Sequence, residues 1–151
     1  MAKPRCIFVY GTLMPASIGV MGFGPRARLA AESRPLAPAT VVGLLYDLGS
    51  YPGLVLPVSP AGVQVRCGTN ADVSRVHGEV LELKDPVRTF AWLDRYEGIA
   101  PGAPRCEYRR DVLQAELSGR AQGPQTIDAW VYVYQGPLNR ARMVKNGRWR
   151  T

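Results

Sequence analysis

Asp85-Pro86-Val87-Arg88-Thr89-Phe90-Ala91-Trp92-Leu93-Asp94-Arg95-Tyr96-Glu97-Gly98 is the one stretch of this chain that reads as a long amphipathic helix, and its isolation among short strand-like runs decides the fold class. Asp85 supplies an N-cap and Pro86 a first-turn proline, while Gly98 is a natural stop signal. At about 3.6 residues per turn, Phe90 and Leu93 share an inward face, and Glu97 falls on it with them. Spacing alone leaves two readings of Glu97. It swings outward at the helix end, as most charged residues do, or it points inward. Desolvation would then raise its pKa toward neutrality, the usual way to make a general base.

Outward from this helix, the strands are short. Cys6-Ile7-Phe8-Val9-Tyr10 is apolar on both faces and reads as a central strand ending at Gly11. Residues 26–33 read as a short helix begun by Pro25. Thr40-Val41-Val42-Gly43-Leu44-Leu45-Tyr46-Asp47-Leu48 is a second apolar run. Pro52 and Gly53 then suit the centre of a type II turn before a returning strand over 54–58. Residues 59–74 are turn-rich. Strand patterns recur at 76–83, before the helix, and at 107–113 and 126–134 after it. In the last of these Ala129, Val131 and Val133 alternate with Trp130, Tyr132 and Tyr134, so both faces need cover. The strands do not alternate regularly with helices, which disfavours a doubly wound parallel sheet. The pattern predicts a mixed α/β (α+β) domain over 1–151, built on a small curved or closed sheet with helices outside.

Three cysteines, Cys6, Cys67 and Cys106, form no CxxC pair and predict neither a disulfide framework nor a zinc site. The chain opens on Met1-Ala2-Lys3-Pro4-Arg5 without an apolar leader, and no run approaches the roughly 20 apolar residues of a membrane span. A soluble, cytoplasmic protein is expected. The formal net charge of +7 comes mostly from arginines scattered along the sequence. With no RGG repeat or aromatic-interleaved basic stripe, charge is the one feature pointing to nucleic acid, and the composition argues against that partner.

Tyr10-Gly11-Thr12-Leu13 sits where the first strand gives out, so its backbone N–H groups lose ladder partners and become free to meet an anion such as a carboxylate. Glycine permits both the turn and a close ligand approach. GxGxxG, GxxxxGK[ST], HExxH and GxSxG are all absent, leaving nucleotide, zinc-protease and serine-hydrolase chemistry without local support. His77, the single histidine, reads as a hydrogen-bonded sheet residue.

Seven short motifs, taken in order, resemble the γ-glutamylcyclotransferase-like superfamily, in particular its γ-glutamylamine cyclotransferase and AIG2-like branch. They are Phe8-Val9-Tyr10-Gly11-Thr12-Leu13, Gly49-Ser50-Tyr51-Pro52-Gly53, Val76-His77-Gly78-Glu79-Val80, Leu93-Asp94-Arg95-Tyr96-Glu97-Gly98, Tyr108-Arg109-Arg110, Ala129-Trp130-Val131-Tyr132-Val133-Tyr134 and Asn146-Gly147-Arg148-Trp149. The resemblance implies a small six-stranded β-barrel flanked by short helices. It implies that Tyr10, Gly11, Thr12 and Leu13 form the substrate-binding loop, that Tyr51, Pro52, Gly53 and Tyr108 line the same cavity, and that Glu97 is the general acid/base. One departure is Arg148, which stands where the family usually carries an acidic residue.

The implied reaction cyclises a small-molecule γ-glutamyl substrate. Its own α-amine attacks the γ-carbonyl, leaving 5-oxoproline and a released amine, with no metal or organic cofactor. Tyr10, Tyr51 and Tyr108 are available to orient the substrate through hydroxyl hydrogen bonds. The alternative is a non-catalytic small-molecule binding protein using the same cavity. Neither the leaving group nor the oligomeric state is encoded in these motifs.

Overall fold

The computed structural model describes residues 3–11, 13–14, 23–49, 51–57, 62, 74–99, 107–119, 123, 125–139 and 141–149. Its elements in chain order are β1 (Cys6–Val9), α1 (Phe23–Ala31), β2 (Ser33–Val42), β3 (Leu44–Asp47), β4 (Pro52–Val55), β5 (Arg75–Leu83), α2 (Pro86–Tyr96), β6 (Tyr108–Leu117), β7 (Gln125–Tyr134) and β8 (Arg142–Met143). The strands hydrogen-bond in the order β1-β5-β2-β6-β7-β4-β3-β8, and β7 returns to β1 through a parallel step at Ile7↔Trp130. Five strands therefore close into a barrel, β1-β5-β2-β6-β7, with β4, β3 and β8 leading away from it.

The α+β barrel class matches the expectation, while the ring has five strands instead of six. The reason lies on one edge of β7. Near Trp130 that edge faces β1, and at Val133 it faces β4 through Leu54. β4 thus takes over where β1 leaves, and it starts a side sheet instead of joining the ring.

Other expectations shift locally. The second apolar run is two strands cut at Gly43, whose backbone N–H reaches out to the Ser74 carbonyl. The turn expected at Pro52-Gly53 lies earlier. Asp47 Oδ1 accepts from the Gly49 N–H at 2.8 Å, Leu48 N–H donates to the Tyr51 carbonyl at 3.0 Å, and Gly49 takes φ +119°. Pro52 instead opens β4, where a missing donor is tolerated. Gly53 serves close approach, since a Cβ there would stand 2.8 Å from the Tyr134 Cβ. The part of β2 before Thr40 had no signal in the sequence because Pro35 and Pro38 interrupt it. The structure accommodates them at a register shift against β5 between Pro35 and Ala37. α1 begins at Phe23, with Pro25 inside its first turn.

Ile7, Val41, Leu81, Ala129 and Val131 are fully buried with the rest of one continuous core. α2 lies on the outside and buries Thr89, Phe90 and Leu93. Phe90 meets Trp130 edge-on, with ring centroids 5.9 Å apart. Glu32, just past α1, accepts from Thr89 Oγ1 at 2.7 Å and Trp92 Nε1 at 3.1 Å, which holds the two helices together. No helix among the described residues is long and apolar enough to cross a membrane.

Gly78 and Gly24 make a paired test of this packing. A Cβ at Gly78 would lie well inside contact distance of the Val9 carbonyl oxygen, whereas one at Gly24, in α1, would meet nothing within 4 Å. Gly78→Ala is expected to destabilise the protein by about 2 kcal/mol or more. Gly24→Ala should leave stability unchanged or raise it by up to about 1 kcal/mol. Urea unfolding of the two variants checks both.

Candidate active site

A cleft of about 350 Å³ opens where β1 ends, β4 begins and α2 terminates. Its floor is buried and made by Phe8, Val9, Tyr10, Leu13, Tyr108 and Tyr132, with Pro52 beside them. Its mouth is formed by the more exposed Tyr51, Tyr96 and Glu107. Glu97 and Gly98 complete the wall from the helix side.

Tyr10 follows β1 directly, and its hydroxyl fills the point at which β7 changes partner. The phenol O–H donates to the Tyr132 carbonyl at 2.7 Å and accepts from the Leu54 N–H at 3.2 Å. One side chain thereby serves two backbone groups that lack a ladder partner, and buried backbone groups must find one. The β1–β5 pairing ends at Val9↔Glu79, so the N–H groups of Gly11 and Leu13 lie outside the sheet ladder. A bond from the Met14 N–H to the Gly11 carbonyl, 3.0 Å, closes the turn. Gly11 is pressed against the Pro52 ring, where a Cβ would come within 2.6 Å of Pro52 Cγ.

The position of Glu97 follows from how α2 stops. Gly98 adopts φ +85°, its N–H donates to the Arg95 carbonyl at 3.1 Å, and the Ile99 N–H donates to the Asp94 carbonyl at 2.8 Å. This is the Schellman pattern. Glu97 is its C-cap residue, and its own N–H remains bonded to the Leu93 carbonyl at 3.0 Å. The inward reading of the sequence holds, since the residue lines the cleft. Glu97 keeps part of its surface open, but its carboxyl end is turned into the cleft and stripped of water. Burial, aided by the nearby Asp94 carboxylate, pushes its pKa up to about 7.

Asp94, one helical turn earlier, meets a different environment. The Arg110 guanidinium grips it through two bonds, Nε to Oδ1 at 3.0 Å and Nη2 to Oδ2 at 3.2 Å, and the Tyr132 hydroxyl donates to Oδ1 at 2.6 Å. Arg110 is itself held over the rings of Phe90 and Trp130, 3.9 and 4.3 Å from their centroids. Among the described residues Glu97 has no such counter-ion at hydrogen-bonding distance.

The structure brings Tyr10, Gly11, Leu13, Tyr51, Pro52, Glu97 and Tyr108 to one cleft. Gly53 lies directly behind its wall, packed on Tyr134. Thr12 lies outside the described residues. The hydroxyl protons expected for substrate are committed to protein acceptors. Tyr10 donates to Tyr132, Tyr108 to the Pro52 carbonyl at 2.7 Å, and Tyr51 to Glu107 Oε2 at 3.2 Å. Burial above all pushes the phenols of Tyr10, Tyr108 and Tyr132 up, so they stay protonated. Sequence reasoning missed Phe8, Val9, Tyr96, Glu107 and Tyr132 as lining residues, together with the Asp94–Arg110 pair behind them. The three-residue spacing of Asp94 and Glu97 was a usable signal, because it places both carboxylates on neighbouring turns of one helix.

A family model described as "Gamma-glutamyl cyclotransferase, AIG2-like" matches residues 7–151. The chain belongs to this family. It is 32% identical over 105 residues to a protein of Vibrio cholerae whose name gives gamma-glutamylcyclotransferase provisionally, covering 70% of this chain and 64% of that one. The gamma-glutamylcyclotransferase family protein YtfP of Escherichia coli K12 is also 32% identical over 105 residues, covering 70% of this chain and 66% of its own length. The matches thus span about two thirds of the length of these curated relatives. The crystal structure of an AIG2-like protein from Mus musculus shares the fold with a TM-score of 0.56 at 19% identity, covering 87% of this chain and 78% of that one.

In this gamma-glutamyl cyclotransferase-family cleft, the raised pKa of Glu97 has a consequence for stability. A carboxyl whose folded pKa is about 7 against an ordinary 4.5 binds its proton more tightly when folded. Its contribution is complete below the unfolded pKa and is lost as pH rises from about 4.5 through about 7. Glu97→Gln cannot ionise, so its stability relative to the native protein should improve by up to roughly 3 kcal/mol between pH 4.5 and pH 8. Denaturant midpoints of the two proteins across that range measure it, and parallel curves would contradict the assignment.

Proposed function

We propose that this protein is an enzyme that cyclises a γ-glutamyl compound to 5-oxoproline with release of an amine, and that Glu97 is its general acid/base. The observation that supports the reading is a carboxyl that lines the cleft without a counter-ion among the described residues, where burial pushes its pKa up to about 7. It lines the same cleft as a turn whose N–H groups lie outside the sheet ladder. A base poised near the working pH is the form that proton transfer requires.

In this scheme the γ-glutamyl half occupies the buried floor. The Gly11 and Leu13 backbone receives the α-carboxylate through N–H donors, as oriented amides do for anions. The α-ammonium then lies toward Glu97, whose carboxylate removes one proton and frees the nitrogen lone pair. That nitrogen adds to the γ-carbonyl carbon to form the five-membered ring. The bond from the γ-carbon to the leaving nitrogen breaks as Glu97 delivers its proton to that nitrogen, and the ring nitrogen gives up its second proton through the freed Glu97 carboxylate to the released amine, which departs as an ammonium. Because attack is intramolecular, holding the chain folded against Tyr10 and Tyr108 contributes through proximity. The Asp94–Arg110–Tyr132 cluster keeps α2 and β7 in register, which fixes the direction of the Glu97 side chain.

Release of 5-oxoproline from γ-glutamylamines and γ-glutamyl dipeptides tests the reading. Glu97→Gln is expected to keep the fold and lower turnover by about 10²- to 10⁴-fold. An unaltered rate in that variant would remove Glu97 from the chemistry. A folded native protein that binds such compounds without releasing 5-oxoproline would make the cleft a binding site only.

The pH profile adds an independent check. kcat/KM should rise with pH and level off above about 7 as Glu97 deprotonates in the free enzyme. Asp94→Asn removes the like charge that helps hold the Glu97 pKa up, so the acid limb should move to lower pH. It should stay above the ordinary carboxylate range, since burial is the larger cause. A limb that stays in place or moves upward would contradict this coupling.

A further inference from the structure

A second cavity, of about 370 Å³, lies where the β5–β2 pair meets the C-terminal segment. Its volume is within the range of small-molecule sites. His77, Ser118 and Arg148 supply its polar groups, and Met14, Pro38 and Trp149 its main apolar ones. No aspartate or glutamate stands among the described residues that line it, in contrast to the cleft that holds Glu97 and Glu107.

Backbone geometry fixes where these polar groups stand. Gly147 takes φ +68°, a conformation that favours glycine. Its N–H donates to the Val144 carbonyl at 3.1 Å, and its carbonyl accepts from the His77 N–H at 2.8 Å. Asn146 Oδ1 accepts the Arg148 N–H at 3.1 Å. Arg148, which departs from the family pattern, is thereby held one residue beyond the point where the C-terminal segment bonds to His77. Ser118 follows β6, and its N–H donates to the Pro38 carbonyl at 2.8 Å. Among the described residues the His77 ring, the Ser118 hydroxyl and the Arg148 guanidinium make no hydrogen bond or ion pair. Three donor side chains thus meet at one cavity, each left to a ligand.

The charged groups around His77 are Arg75 and Glu79 on its own strand, Glu116 on β6, and Arg148. Glu116 is engaged by Arg75 at 3.2 Å, and Glu79 is outside the lining. Burial first, then Arg148 and Arg75, holds the His77 pKa below its ordinary value. Both arginines act on the ring as like charges, and an anion in the cavity would offset them.

We infer that this second cavity binds a small molecule joining a phosphate group to an apolar, ring-sized body, with the phosphate on Arg148, His77 and Ser118 and the body against Trp149, Met14 and Pro38. A phosphate carries nearly two charges at neutral pH, and a guanidinium meets it with a fork of donors. Trp149, only 7% exposed, gives the body a fixed wall. The site stands independently of the cyclotransferase reading. The turn closed by the Met14 N–H on the Gly11 carbonyl nevertheless contributes to both cavities, through Met14 to this one and through Gly11 and Leu13 to the other.

His77 is the single histidine, so its imidazole resonances in proton NMR report this site alone. The probes are phenyl phosphate, phenyl sulfate, which has the same body and one charge fewer, and inorganic phosphate, which has no body. Phenyl phosphate should bind about tenfold tighter than either of the others. At saturation it should move the His77 titration midpoint upward by about 1 pH unit. Arg148→Gln, at an exposed position, should keep the fold and weaken phenyl phosphate binding about tenfold. No binding of phenyl phosphate to folded protein would overturn the inference, as would equal affinity for phenyl phosphate and either comparison probe. Binding that leaves the His77 midpoint in place, or that is undiminished in Arg148→Gln, would put the anion elsewhere on the protein and overturn it too.

Discussion

A single phenol holds together the part of this molecule in which its chemistry is set. Strand β7 has one edge and two claimants, β1 beside Trp130 and β4 beside Val133. Between them the Tyr132 carbonyl and the Leu54 N–H would be left inside the protein without a mate. The Tyr10 hydroxyl meets both. Leaving such groups unpaired costs about 1–3 kcal/mol each, so Tyr10 is required by the barrel before any substrate enters. Because Tyr10 terminates β1, the same constraint puts the Gly11 turn at the open seam, and the cleft is the gap that the partner change leaves.

The opposite wall depends on a division of labour between two carboxylates one turn apart. Asp94 receives a guanidinium in fork geometry and a phenol O–H. The arginine that supplies the fork is clamped between two aromatic rings. This arrangement links α2, β6 and β7, so it works as a structural joint. Glu97 is placed by the helix stop at Gly98, where the positive φ turns the chain away and leaves the side chain in the cleft. With no counter-ion at hydrogen-bonding distance among the described residues, burial raises the pKa of this carboxyl to about 7. Two carboxylates of the same chemical type thus meet different surroundings, Asp94 in an ion pair that supports the fold and Glu97 in the cleft with a raised pKa.

How much of this was legible in the sequence follows from the range of each interaction. The helix, its proline start and its glycine stop were legible because caps act within one turn, whereas periodicity put Glu97 on the apolar face but left open whether its carboxyl swings outward or points in. The part of β2 before Thr40 was not, since Pro35 and Pro38 speak against a strand locally and only pairing with β5 across a register shift overrules them. The Pro52-Gly53 pair carries a genuine turn preference, but the Asp47 side chain already caps a turn at Gly49, and the close pass of β4 against Tyr134 uses the glycine instead. Glu107 and Tyr132 had no local mark. They join the cleft through pairings more than fifty residues apart in the chain, to Tyr51 in one case and to Tyr10 in the other.

The seven short motifs that carry the family resemblance become intelligible as contacts with one another. Gly11 is a glycine because Pro52 lies against it, and Gly53 is one because Tyr134 does. Tyr108 is fixed by its bond to the Pro52 carbonyl, so the second and fifth motifs meet there. Gly78 lies under the Val9 carbonyl, and Gly147 under that of Arg75, with the His77 N–H bonded to the Gly147 carbonyl at 2.8 Å. Each motif is short because one tight approach involves only two or three residues on either side, and they are scattered because the barrel brings distant segments together. Arg148 can depart from the family pattern without disturbing this framework, since its neighbours Gly147 and Trp149 make the buried approach while its own side chain is exposed. The motifs therefore specify the closure of the barrel and the walls of the cleft. Within them Glu97 stands apart, because nothing in the packing requires a carboxylate there, and its burial opposes the charged form. A carboxylate whose burial works against stability at neutral pH, in a cleft where the described residues give it no counter-ion, is the feature on which the proposed role in proton transfer rests.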